Sequence, residues 1–82
     1  PEYKVHVEGH TDNRPILGAL KKRFPSNKEL SEARATNAAQ ALADGGLPGA
    51  HAMGVADTKP VMPNVTTEGR AKNRRVEISV MK

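Results

Sequence analysis

Apolar and polar side chains alternate over residues 3–8, so that Tyr3, Val5 and Val7 share one face and Lys4, His6 and Glu8 the other. That period of two is the mark of a half-buried strand. Gly9 ends it, and the following Gly9-His10-Thr11-Asp12-Asn13-Arg14-Pro15 is rich in residues that bond their own backbone in turns. Residues 16–25 have no period, carry Lys21-Lys22-Arg23 and end at Pro25; they read as an exposed loop with one helical turn over 18–22. Ser26 and Glu29 have the spacing of a capping box, with Asn27 an equally good N-cap. The Ala-rich stretch 28–43, free of Gly and Pro, predicts the longest helix, closed by Gly45, Gly46 and Pro48. Its positions 27, 30, 34, 37/38 and 41 fall on one stripe, and 30, 33, 38, 41 and 42 on a neighbouring one.

Residues 50–56 read as a short buried strand in which Gly54 admits a close backbone approach. Strand, helix and strand then predict a parallel, right-handed crossover. Residues 57–64 hold two prolines and form a loop. Thr66 or Thr67 caps a short helix over 68–73, and Val76, Ile78 and Val80 alternate as a last strand. The expected fold class is α/β, a small mixed β-sheet with helices packed on one face.

The chain has 82 residues, room for one small domain over 1–82. Hydrophobic residues make up 37% and no apolar run is long enough to span a membrane. With one Tyr, one Phe and eleven alanines, the core must be thin. The absence of cysteine excludes a disulfide, a thiolate nucleophile and a Cys-ligated zinc site, and chooses no redox compartment. A net charge of +4 suits an anionic partner. The chain opens at Pro1 directly ahead of a strand pattern and reads as a piece of a longer protein.

Little here suggests catalysis. His6, His10 and His51 lack a tight ligand spacing, so neither a metal nor a cofactor is expected. Ser26, Ser31 and Ser79 have no nucleophile-elbow context, and Gly45-Gly46 follows a helix instead of opening one. The basic stretch 69–75 raises nucleic-acid binding as the alternative function. Tyr3 and Phe24 are the only Phe, Tyr or Trp residues available for stacking, so no nucleic acid is expected as the partner.

Three segments, in order and across about seventy residues, together resemble the OmpA-like C-terminal domain, the peptidoglycan-binding module of Gram-negative envelope proteins. They are Val7-Glu8-Gly9-His10-Thr11-Asp12, Asn27-Lys28-Glu29-Leu30-Ser31-Glu32-Ala33-Arg34-Ala35 and Gly69-Arg70-Ala71-Lys72-Asn73-Arg74-Arg75-Val76-Glu77-Ile78. Asp12-Asn13-Arg14-Pro15-Ile16, Phe24-Pro25-Ser26-Asn27 and the stretch 54–60 are most similar to two subgroups. One is the type VI secretion membrane anchors of the TssL kind, which is favoured; the other is the flagellar stator protein MotB. The family usually has a strand and a helix ahead of the segment that opens here. The chain is therefore expected as a βαβ-αβ piece with one sheet edge open to another chain, a homodimer included.

The resemblance implies a periplasmic domain of an inner-membrane protein in a Gram-negative bacterium, working beside other subunits of a membrane complex. It also implies a non-catalytic site for the diaminopimelate of the peptidoglycan stem peptide. That side chain ends in an ammonium and a carboxylate, and the family's partners for them match Asp12 and Arg34. Asp12 follows a strand's C-terminal end, where α/β sheets present ligand-binding loops. Arg34 lies two turns into the next helix on the stripe of Asn27 and Leu30, and a guanidinium takes a carboxylate bidentately. Leu30 packs the ligand's methylenes, Asn27 holds the loop, touches ligand or only caps the helix, and Thr11 lines the site as a turn former beside Asn13. Asn73 and Arg74 match a family motif beside the pocket, where Asn73 is expected to brace the Asp12 loop, with Arg70, Lys72 and Arg75 on a solvated basic face. The plain alternative is that Asp12 and Arg34 pair with each other, which is compatible with the empty state of a zwitterion site.

Overall fold

The computed structural model describes residues 4–81, in the order β1 (Lys4–Gly9), α1 (Ala19–Arg23), α2 (Asn27–Asp44), β2 (His51–Gly54), α3 (Thr67–Asn73) and β3 (Val76–Met81). Tyr3, expected on the apolar face of the first strand, lies outside the described residues. The sheet runs β2-β1-β3, with β1 and β2 parallel and β1 and β3 antiparallel. It is the small mixed sheet of an α/β fold.

The alternation in β1 works as expected, with Val5 and Val7 turned inward. They meet Ala35 to form the core, flanked by half-buried Ala38, Ala39, Leu42, Ala50 and Ala52. Among the described elements α2 alone packs on the sheet, over β1 and β2 and lightly on β3, while α1 and α3 sit in the connecting segments. The helices therefore do not share one face equally.

The face α2 turns to the sheet is the row 31, 35, 38/39 and 42, one step round from the expected stripes. The cause is the backbone opposite. A Cβ on Gly9 would lie 2.1 Å from the Ser31 carbonyl oxygen, and one on Gly54 would lie 2.3 Å from the Glu32 amide nitrogen. Two bare glycines thus let the helix backbone down onto the strands, and only small side chains fit between. Ser31 is fully buried there and satisfied: its hydroxyl donates to the Lys28 carbonyl at 2.9 Å and accepts from the Ala56 amide at 3.1 Å. The stripe of Asn27, Leu30 and Arg34 is left to face a cavity instead.

Local signals set the element ends. Ser26 is the N-cap of α2, its side chain accepting from the Lys28 amide at 3.3 Å, and its hydroxyl donates to the Glu29 carboxylate. Asn27 is the first helical residue. Thr66 caps α3 by accepting from the Gly69 amide at 2.9 Å.

Candidate functional site

The chain leaves β1 into a loop pinned from both sides. The His10 amide donates to the Arg75 carbonyl at 2.8 Å and the Thr11 amide to the Ala56 carbonyl at 2.9 Å. Thr11 is buried, and its hydroxyl donates to the Asp12 carbonyl at 2.9 Å, the turn-forming role expected of it. From α2, the Asn27 side-chain Nδ2 donates to the Arg14 carbonyl at 3.0 Å and to the Asp12 carbonyl at 3.4 Å. Asn27 thus ties the loop to the helix, and Ser26 does the capping.

This tethering buries Asp12 to 5% exposure. Its Oδ1 accepts from the Arg14 amide at 3.0 Å, while Oδ2 lies 2.7 Å from Arg74 Nη1 and 3.4 Å from Arg14 Nε. Burial pushes the carboxyl up, but the Arg14 amide and the Arg74 guanidinium outweigh it. The group titrates below its ordinary value and is an anion at neutral pH.

A cavity of about 350 Å³ opens beside the carboxylate. Thr11, Asp12, Asn27, Leu30, Arg34, Arg14 and Arg74 line it, with Pro15, Ile16, Leu17 and Leu20 completing an apolar wall. Asp12 and Arg34 therefore face a shared space. They do not pair: the carboxylate is held by Arg74 and Arg14, and among the described residues the Arg34 guanidinium makes no hydrogen bond or ion pair. Arg34 and Arg74 also wall a second cavity of about 360 Å³ with Arg75 and Val76. One carboxylate among three guanidinium groups leaves the site cationic, with one cation uncommitted.

Two expectations for the neighbourhood change. Asn73 does not reach the Asp12 loop or line the cavity. It is fully buried, its Oδ1 accepting from the Val61 and Met62 amides at 2.8 and 3.0 Å. Its Nδ2 donates to the Met62 carbonyl and to Asn64 Oδ1, both at 2.8 Å, so it braces the 61–64 loop. Of the basic stretch Lys72 is exposed as expected, but Arg70 and Arg75 are not free. Arg70 donates to the Asn64 carbonyl at 3.1 Å, and Arg75 to the Lys59 carbonyl at 3.0 Å, so both are spent on the protein's own backbone.

The resemblance placed Arg74 beside the pocket, but its clamp on Asp12 and the apolar wall were not foreseen. Arg74 is 62 residues from Asp12. It arrives because β3 runs antiparallel to β1 and sets Val76 opposite Gly9, a pairing that no local pattern encodes.

Comparison with known proteins accords with this geometry. The model of the OmpA family matches residues 1–74. The chain belongs to the OmpA family. It is 40% identical over 84 residues to motility protein B of Bacillus subtilis, covering 99% of this chain and 31% of that protein. It is 40% identical over 82 residues to the peptidoglycan-binding protein ArfA of Mycobacterium tuberculosis H37Rv, covering 98% and 23%. Among solved structures, the cell wall anchor of the type VI secretion system from Pseudomonas aeruginosa superposes with a TM-score of 0.74 at 47% identity, covering 96% of this chain and 54% of that one. The chain thus spans less than a third of the two relatives and about half of the solved anchor.

Proposed function

We propose that this OmpA-family domain is a non-catalytic wall-binding module that grips the diaminopimelate side chain of uncrosslinked peptidoglycan stem peptides. It holds an inner-membrane machine to the cell wall from the periplasm. The observation that carries the reading is the shared cavity of Asp12 and an uncommitted Arg34. The names of a peptidoglycan-binding relative and of a cell wall anchor support it.

The ligand's carboxylate meets Arg34, whose donors are unspent and match a carboxylate bidentately. Its ammonium meets Asp12. An ionised carboxylate offers about four lone-pair sites, so the Arg14 amide and Arg74 leave room for another donor. Arg14, the exposed partner at 3.4 Å, is the contact that gives way. The methylenes that join this doubly charged carbon to the peptide backbone lie against Leu30, Ile16 and Leu20. Arg74 is a positioning residue, keeping Asp12 ionised and oriented before the ligand arrives.

The test is co-sedimentation with purified sacculi. Arg34→Ala and Asp12→Ala should each abolish pelleting while circular dichroism stays unchanged. Retention of both variants on sacculi at the wild-type level would remove the pocket from the account.

A further inference from the structure

The face of the sheet turned away from α2 gathers chemistry that lies scattered in the chain. His6 and Glu8 point there from β1, and the parallel register sets His51 of β2 beside His6, with ring centroids 5.5 Å apart. The antiparallel register sets Glu77 of β3 directly opposite Glu8. Like charges directly opposed across two strands destabilise a sheet unless something positive stands between them. Lys59 on Glu8 and Arg75 on Glu77 supply that charge, and between the two carboxylates stands His10, 1% exposed, with neither ring nitrogen in a hydrogen bond. Its Nε2 lies 3.0 Å from Glu8 Oε1, out of line for hydrogen bonding, and 3.8 Å from Glu77 Oε2.

We propose that His10, Glu8 and Glu77 form a binding site for a divalent transition-metal ion, with Zn²⁺ as its representative. One ligand atom from each of the three lies within 4.8 Å of the others. Bonds of about 2.0–2.2 Å in a tetrahedron set ligand atoms about 3.3–3.6 Å apart. The observed 3.0 and 3.8 Å from His10 to the two carboxylates bracket that spacing. An imidazole with two carboxylates is a donor set that zinc takes readily, with a fourth position open. The orphaned nitrogens of a buried histidine are what separate this cluster from an ordinary pair of surface glutamates.

Two cations compete for the same carboxylates. Lys59 Nζ lies 3.2 Å from Glu8 Oε2, and Arg75 Nε binds Glu77 Oε2. Lys59 is exposed and swings into solvent when an ion loads. Arg75 keeps its contacts to the Asn73 and Lys59 carbonyls at 3.4 and 3.0 Å. The site is therefore tuned by a lysine, and removing that lysine should tighten it.

The experiment is calorimetric titration of the chelator-treated 82-residue chain with zinc chloride. Histidine side-chain nitrogen shifts are followed by NMR on the same samples. Expected are one saturable site per chain, a large shift of a His10 nitrogen, and weakening by more than about tenfold in Glu8→Gln and in Glu77→Gln. Lys59→Met should tighten binding by about two- to fivefold. These variants spare His10, whose replacement risks unfolding the loop. The double variant His6→Ala, His51→Ala should bind as the wild type does. No saturable uptake, or uptake lost in that double variant and kept in Glu77→Gln, would overturn the proposal.

Discussion

At the scale of single residues, function divides between groups that are spent and groups that are not. Asp12 is spent on Arg74 and Arg14, Asn27 on the loop carbonyls, and Asn73 on the 61–64 loop, while Arg34 is uncommitted. The cost of removing each follows from that division. Asn73→Ala strands the Val61 and Met62 amides and opens a hole where nothing was exposed, so it should lower stability by about 2–4 kcal/mol. For a domain of this size, thermal melting should register a fall of more than about 8 °C. Below its melting range the same variant should still pellet with sacculi, because Asn73 does not line the cavity. The family resemblance singled out Asp12, Arg34, Thr11, Asn27 and Leu30 as residues of one neighbourhood, and the strand end and helical stripe, which are local signals, made that placement physically sensible. Which guanidinium holds Asp12 was not legible, because Arg74 arrives through the pairing of two strands far apart in the chain.

At the scale of elements, α2 is the part that joins core to site. One of its rows, Ser31 and Ala35, lies on bare strand backbone, and the next, Asn27, Leu30 and Arg34, faces the cavity. The helix itself was plain from alanine content and caps, but its rotation was not. Both expected stripes passed over Ser31 and Ala35, since the seat of the helix is decided by two glycines on the strands. Gly9→Ala should therefore force the helix off β1, with a loss of about 3 kcal/mol or more in chemical denaturation. Because α2 carries Arg34 and β1 leads to Asp12, the variant should also weaken sacculus binding under conditions where it remains folded.

The start of α2 gives a second, smaller prediction. Ser26→Ala removes the side-chain acceptor for the Lys28 amide and the hydroxyl on Glu29, and should cost about 1 kcal/mol. The Ser26 hydroxyl holds the Glu29 carboxyl below its ordinary value of 4.5. A carboxyl lowered by folding stabilises the protein above its unfolded value, and the contribution fades as pH falls through the lowered folded value. An NMR titration should place the Glu29 midpoint below 4.5 in the wild type and return it upward in Ser26→Ala. An unchanged midpoint would mean that the hydroxyl contact is not what holds it down.

At the scale of the whole molecule, three strands and one seated helix make a flat body of 41 × 27 × 17 Å whose two sheet faces do different work. The α2 face carries the thin core, ending at β3, where Val76, Ile78 and Val80 stay largely exposed. The opposite face carries the histidines and Glu8, a gathering hidden in the sequence because His51 meets His6, and Glu77 meets Glu8, only through strand register. The wall-binding cavity lies beyond the C-terminal end of β1, with contributions from the loop, α2 and the residue leading into β3. Its position there was foreseeable from the topology of the crossover, and its cationic balance only from the assembled fold.

The central claim is that one cation and one anion in this cavity read the two opposite charges at the tip of a single side chain. Calorimetric titration compares a stem tripeptide ending in diaminopimelate with the same peptide ending in lysine, which lacks the distal carboxylate. A charge-assisted contact to Arg34 is worth about 1.5–3 kcal/mol, so the wild-type chain should prefer the diaminopimelate peptide by about ten- to a hundredfold. Arg34→Ala should erase that preference. Equal affinity of the wild type for both peptides, or a preference that survives in Arg34→Ala, would contradict the account.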